Sequence, residues 1–303
     1  MYGTGVRERV ARDIDRQVEK VLRGLGNPQP PIRLADVREL LRLDLGYYSS
    51  VDDGLIRETI SRLKVATKQF WYRPSILFDA LRKRDLKALY VPDGKRILLD
   101  AELPRIKQRW GEGHEISHSI IPWHASYLHG DQTHTLSLAC ELEIEAEANF
   151  ATGRMLFLRD RFREELLAGA VSIERIKALS SGYGNTITST LWRAVECCDT
   201  PAFGMVSQHP AYLSGEKPAI RYFVVSASFS GEFNQTGSER IFRGIGTLCT
   251  SRKRGPLADE EVAIRDDNGM AHRFHVECFS NTYDVLTLGT SVGVSTSTFS
   301  VTQ

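Results

Sequence analysis

The sequence predicts an α+β protein with two domains. Up to about residue 197, apolar side chains recur every three or four positions, which is typical of amphipathic helices. Beyond residue 218, runs of β-branched and aromatic residues split by Gly, Asn and Asp are typical of strands. At 303 residues the chain is longer than one compact core usually is. We therefore predict a mainly helical domain over residues 1–200 and a β-rich regulatory or docking domain over 201–303.

The N-terminal third begins with helices and then changes period. Apolar residues from Val10 to Leu25 mark a first helix, which a Gly-Asn-Pro breaker ends, and Leu34–Leu41 marks a second. Residues 54–70 and 75–84 are predicted to be helical as well. The apolar stretches Ala88–Val91 and Ile97–Leu99 flank a Pro-Asp-Gly-Lys turn and predict a hairpin.

Helices are predicted next over 103–121 and 138–163, the second rich in Glu, Ala and Leu. Residues 172–196 have the pattern of a helix, a Gly-containing turn and a helix, which resembles a helix-turn-helix. Residues 201–218 predict a connector, because Pro, Gly and Ser are frequent there. Strands are then predicted over 220–229, 240–249, 262–265 and 273–279, with 291–303 as a last strand or a loose end.

Composition restricts the class of protein. The chain is 42% hydrophobic and 25% charged with a formal net charge of +1, which excludes wholesale disorder and fibrous repeats. No apolar run approaches the ~20 residues of a membrane span, and the N-terminus lacks an apolar signal core. Five cysteines do not make a disulfide scaffold. We predict a cytoplasmic protein with reduced thiols and no membrane partner.

The pentapeptide His114-Glu115-Ile116-Ser117-His118 lies within the predicted helix 103–121. With eight His and 21 Glu in the chain, chance would give such a motif only about 0.015 times. Residues four apart share one helix face, so both imidazoles can bind one zinc ion. Glu115 is placed to take a proton from a zinc-bound water as general base.

A catalytic zinc needs a third protein ligand. Glutamates stand at four alternate positions over 141–147, and steps of two rotate by about 200°, so at most two can face the metal. Glu145 is the predicted ligand. Asn149, four residues further along the chain, lies on the same helix face as Glu145. It can form a hydrogen bond to a metal ligand on the side away from the metal.

Together these motifs resemble those of the ImmA/IrrE family of zinc metallopeptidases, in which HExxH is followed by Glu-x-x-Ala-Asn, here Glu145 to Asn149. The Met155-Leu156 pair is similar to the family's continuation, and the likeness covers residues 30–165. The resemblance implies a zincin-like, gluzincin-type peptidase domain. It also implies a substrate, a helix-turn-helix repressor whose cleavage derepresses stress-response, mobile-element or antiphage-defence genes.

Cys140 is a candidate inhibitory zinc ligand. If its helix starts near Glu141, the thiolate could fold over the metal and occupy the fourth coordination position of the zinc. The catalytic water would then be displaced and the enzyme would be inactive. On a rigid helix, five steps would turn Cys140 about 140° away from Glu145. The alternative is a buried structural thiol.

The N-terminal third is basic: residues 1–110 carry 23 Lys/Arg against 15 Asp/Glu, a net of +8. Within it, Phe70-Trp71-Tyr72 lies among Lys64, Lys68 and Arg73. Aromatic rings stack on bases while cations follow phosphates, so single-stranded DNA is a candidate effector. The alternative is a helix face that buries three core aromatics.

Other functions stay open. The chain could be a DNA-binding transcriptional regulator that uses residues 172–196, although these offer only the cations Arg175, Lys177 and Arg193. It could also be a ligand sensor with a structural zinc. Three histidines follow the motif in a predicted loop and could assist the site, but such histidines are mostly exposed. They are His124, His129 and His134.

Overall fold

A computed structural model of the chain describes residues 6–48, 88–91, 94–124, 138–209, 220–249, 253–281 and 283–294. It combines helices with two sheets, which confirms the α+β prediction. Three predicted features lie outside the described residues. They are the helices over 54–70 and 75–84, the segment Phe70-Trp71-Tyr72, and the histidines His129 and His134. Within the described ranges, no helix is both long and apolar enough to cross a bilayer.

The N-terminal half places one long helix against a small sheet. Strand β3 is the central strand, paired in parallel with β1 and antiparallel with β2, so the predicted hairpin is confirmed. Its side chains Ile97 and Leu99 are fully buried under the helix and strands around them. The elements are α1 (Glu8–Gly24), α2 (Leu34–Leu41), β1 (Asp44–Tyr48), β2 (Ala88–Val91), β3 (Arg96–Asp100) and α3 (Arg105–Ile120).

The single helix predicted over 138–163 is wrong in its length. Two helices occupy this region, α4 (Leu138–Leu156) and α5 (Asp160–Leu167). Leu158 and Arg159 between them have φ values of 51° and 55°, a conformation that ends a right-handed helix. Arg159 then pairs with Glu19 of α1 at 3.0 Å, which stabilises the corner.

The helix-turn-helix-like pattern is confirmed as two helices, α6 (Ile173–Tyr183) and α7 (Ile187–Cys197). Gly184 has a φ of 65°, the left-handed conformation that a glycine adopts without strain. Thr186 caps α7, since its side chain accepts a hydrogen bond from the Ser189 backbone N–H.

The C-terminal part is one antiparallel sheet with short helices packed against it. Its strand order is β5-β4-β8-β7-β6. Phe203, Phe229, Phe233 and Phe274 form a fully buried aromatic cluster with ring centroids 4.6–6.0 Å apart. The elements are β4 (Ala202–Gln208), β5 (Ile220–Val225), α8 (Ala227–Glu232), α9 (Ser238–Ile245), a 3₁₀ turn (Gly246–Cys249), β6 (Gly255–Arg265), β7 (Ala271–Ser280) and β8 (Asp284–Val294).

Three predictions about this region are wrong. The strand expected over 220–229 ends at Val225, and α8 follows from Ala227. The connector expected over 201–218 begins with a buried strand, β4, in which Gly204 lets Val224 and Val195 approach closely. The strand expected over 240–249 is a helix and a 3₁₀ turn. Ile241 and Ile245, four apart, pack into the aromatic cluster, so the helical spacing prevails over β propensity.

The chain packs as two compact units. One consists of residues 1–162 and 182–185, the other of 163–181 and 186–303. A division by packing is not a division by function, so the sequence-based domains, 1–200 and 201–303, stay a prediction.

Replacing Gly289 by Ala should destabilise the C-terminal sheet. An added Cβ would lie 2.1 Å from the ring of Phe203, a fully buried side chain on the neighbouring strand. We expect a loss of about 1–3 kcal/mol in the free energy of unfolding, measured by urea denaturation. The matched control is Gly244→Ala, an exposed helical site with nothing near the added atom, which should gain about 0.5–1 kcal/mol. Equal effects of the two substitutions would contradict the described packing.

Candidate metal centre

The site depends on the close packing of α3 against α4. Gly113 and Ser117, four apart on α3, face Thr152 of α4: an added Cβ on Gly113 would lie 3.2 Å from the Thr152 methyl. The buried hydroxyls of Ser117 and Thr152 are 3.0 Å apart across the interface. Small side chains thus let the helix backbones approach, and the residues that flank them on each helix meet.

Three predicted site residues are brought together by this packing: His114, His118 and Glu145. The Nε2 atoms of the two histidines are 3.2 Å apart. Glu145 Oε2 lies 3.0 Å from His114 Nε2, and its Oε1 lies 3.5 Å from His118 Nε2. Both carboxylate oxygens therefore face the pair of imidazoles.

This arrangement can hold a metal ion. In a tetrahedral zinc site with bonds of 2.0–2.1 Å, neighbouring donor atoms are about 3.3–3.4 Å apart. The three measured separations, 3.0, 3.2 and 3.5 Å, match that spacing. The Glu145 side chain is 55% exposed, so the site opens to solvent on that side. The donor set and its spacing fit zinc.

The ionisable groups of the site influence one another. Hydrogen bonds from His114 and His118 hold the pKa of Glu145 well below its usual range. Burial acts to lower the pKa of His114, but the hydrogen bond to Glu145 and the nearby carboxylates outweigh it, and the pKa is raised. Burial lowers the pKa of His118. The protein thus presents one carboxylate and two imidazoles that need a proton or a metal cation between them.

Glu115 lies beside this group in a different environment. It is 7% exposed, and burial raises the pKa of its carboxyl to about 7, with the Glu145 charge adding to the effect. The His114 charge and a hydrogen bond from the Tyr90 backbone on β2 oppose it. A carboxyl with a pKa near neutrality can both accept and release a proton at physiological pH.

Each histidine has a partner on the side away from Glu145. Asn149 Oδ1 is 3.2 Å from His114 Nδ1, as its position one turn after Glu145 predicts. His124 Nδ1 is 3.0 Å from His118 Nδ1. The expectation that His124 is an exposed loop histidine is wrong: it is fully buried and follows α3 in a helical turn. Sequence reasoning missed its partner Glu147, whose only signal was its place among alternating glutamates.

Cys140 lies on α4, but its side chain lies outside the described part of the structure. Its role as an inhibitory zinc ligand therefore stays a prediction.

Comparison of the sequence with protein-family models and with curated protein sequences finds no match. Among solved structures, the fold is similar to that of a Mycobacterium tuberculosis transcriptional regulator. The TM-score is 0.54 at 10% sequence identity, over 99% of this chain and 95% of that chain. At this identity the likeness concerns the fold alone, and membership of the ImmA/IrrE family stays a prediction from the motifs.

Zinc should stabilise the folded protein through Glu145. At a free zinc concentration 100 times the dissociation constant, the gain is about 2.7 kcal/mol, visible as a rise in Tm. Glu145→Ala should reduce this rise, because one of three ligands is lost. Glu143→Ala is the matched control, an exposed glutamate two residues earlier on α4 that pairs with exposed Arg7. An equal rise in both variants would contradict the assignment.

In chelator-treated protein, Glu115→Gln should increase stability at high pH. Because the pKa is raised on folding, the contribution of Glu115 is full below its unfolded value of 4.5 and is lost as pH rises through about 7. At pH 8 a neutral Gln removes the desolvated charge, and we expect a gain of about 1–3 kcal/mol. At pH 5 the difference should be small. Chemical denaturation at both pH values is the measurement, and a gain that does not grow with pH would show that the carboxyl is not desolvated.

Proposed function

We propose that the protein is a zinc-dependent endopeptidase of the ImmA/IrrE type that regulates transcription by cleaving a helix-turn-helix repressor. The observation that supports this proposal most is the meeting of His114, His118 and Glu145 at the spacing of a zinc site, with buried Glu115 beside it. A site for zinc alone needs ligands only. A general base next to the ligands is what hydrolysis needs in addition.

The roles in this proposal follow from the surroundings of each residue. His114 and His118 present Nε2, and Glu145 a carboxylate that stays ionised, so together they can hold a divalent cation. Zinc, when bound, acts as a Lewis acid toward a peptide carbonyl and lowers the pKa of water. Glu115 would take the proton of the attacking water and deliver it to the leaving amine.

The regulatory part of the proposal is supported by the fold. The solved structure with a similar fold is named a transcriptional regulator, and its likeness extends over nearly the whole of both chains. If the substrate is a repressor protein, its hydrolysis would itself regulate transcription. Single-stranded DNA as a trigger stays a proposal from the sequence, since the aromatic and basic segment lies outside the described residues.

A second candidate is a transcriptional regulator that binds DNA or senses a ligand and uses the metal only structurally. The comparison with the named regulator favours this candidate more directly than it favours proteolysis. The segment α6–α7 is nevertheless a poor duplex reader, because none of the residues of α7 is exposed. Its cations are also engaged: Arg175 with the Glu165 carbonyl, Lys177 with Glu174, and Arg193 with Glu196. DNA binding would need another surface.

The substitution Glu115→Gln tests the proposed chemistry. The zinc-loaded protein is mixed with a helix-turn-helix repressor, sought first among the genes next to its own, and cleavage is followed by intact mass spectrometry. We expect the variant to retain stoichiometric zinc and to lose cleavage by about 10²–10⁴-fold, because the proton acceptor is gone. Glu143→Gln should cleave like the wild type.

Two outcomes would contradict the proposal. If the Glu115→Gln variant cleaves at the wild-type rate, Glu115 is not the general base. An intact repressor with every variant, together with DNA binding that changes on zinc removal, would favour the second candidate.

A further inference from the structure

Behind His118 lies a group of polar side chains that the proposed chemistry does not use. His124 is fully buried, and its Nε2 lies 2.9 Å from Glu147 Oε2. The indole Nε1 of Trp123 is 2.6 Å from the same oxygen. On its other side, His124 Nδ1 lies 3.0 Å from His118 Nδ1. An unbroken series of contacts thus leads from Trp123 and Glu147 to a metal ligand.

The direction of these hydrogen bonds can be worked out from one end. An indole nitrogen only donates, so Trp123 fixes Glu147 Oε2 as an acceptor. The contact at 2.9 Å then requires a proton on His124 Nε2, and a neutral His124 is left with a lone pair on Nδ1. That lone pair accepts from His118 Nδ1, so the proton of His118 resides on Nδ1. When a metal is bound, its Nε2 offers a lone pair to that metal, on the side that faces His114 and Glu145.

The burial of Glu147 explains why the series is built this way. Glu147 and Glu145 are two residues apart on α4, about 200° around the helix, so they face different surroundings. Glu145 is 55% exposed and faces the histidine pair, whereas Glu147 is 7% exposed. A carboxylate removed from water needs donors in compensation, and His124 and Trp123 supply two.

We infer that Trp123, His124 and Glu147 are positioning residues that set the tautomer and orientation of the metal ligand His118. The inference rests on the proposed function in assigning a metal to His118. Asn149 does the same for His114, because its side-chain oxygen accepts from Nδ1 and leaves Nε2 free. Each imidazole thus donates its Nδ1 proton to an acceptor on the side away from Glu145. His118 donates to His124, and His114 donates to Asn149.

Variants that remove or keep the acceptor test this inference. His124→Phe and Glu147→Leu remove links of the series, and we expect the zinc dissociation constant, from competition with a chromophoric chelator, to rise 10–100-fold. Glu147→Gln keeps an oxygen that accepts both N–H groups and should restore affinity to near the wild-type value. Glu143→Gln is the control. Circular dichroism and thermal melts identify variants that do not fold.

The tautomer of His118 is a second measurement and needs no zinc. Long-range ¹H–¹⁵N correlation spectra of the metal-free protein should show the His118 proton on Nδ1 in the wild type and in Glu147→Gln. A mixture of tautomers is expected in whichever of His124→Phe and Glu147→Leu folds. A wild-type His118 without a proton on Nδ1, or folded variants with unchanged zinc affinity and an unchanged Nδ1 proton, would overturn the inference. A wild type that binds no zinc but carries the Nδ1 proton would overturn the proposed function alone.

Discussion

The contact between α3 and α4 is the constraint on which the site depends. Neither helix alone brings three metal-binding side chains together: α3 supplies two imidazoles one turn apart, and α4 supplies the carboxylate. The crossing is close because Gly113, Ser117 and Thr152 are small, and the two hydroxyls meet across it. A larger side chain at Gly113 would separate the helices and enlarge the His–Glu distances that fit zinc. Glu115 and His118 on α3 are also buried, and this burial shifts the pKa of each.

Three glutamates within this small volume show how surroundings decide chemical behaviour. Glu145 is largely exposed and bonded to two imidazoles, so it stays ionised and suits a cation. Glu115 is buried with few compensating partners, and its pKa rises to about 7. Glu147 is buried as deeply, but it has an indole and an imidazole as donors. Identical side chains thus occupy three different environments, which suit the ligand, the proton acceptor and the support that we propose.

The residues at the centre of the site were predictable because their spacing is local. His114 and His118 are four apart, as are Glu145 and Asn149, and a helix places such pairs on one face whatever surrounds it. His124 and Glu147 were not predictable in the same way. Their contacts depend on where the chain turns after α3, which no local pattern in the sequence indicates.

The fold was predictable to a similar extent. Helices α1, α2 and α3 and the hairpin follow from periodicity and breakers. Strand β1 was missed because it is short and pairs with β3 from about 50 positions away in the sequence. Strand β4 was taken for a connector because its glycine serves close packing and not a turn. In α9, two isoleucines four apart outweighed the β-branched composition, since the aromatic cluster offered a surface for one helix face.

The most direct test of the central claim is X-ray absorption spectroscopy of the protein loaded with one equivalent of zinc. We expect nitrogen and oxygen neighbours at about 2.0–2.1 Å, with the outer scattering pattern of two imidazoles. In the Glu145→Ala variant, we expect the zinc to lose the oxygen neighbour that the glutamate side chain supplies. A spectrum without imidazole scattering, or a protein that retains no zinc, would contradict it.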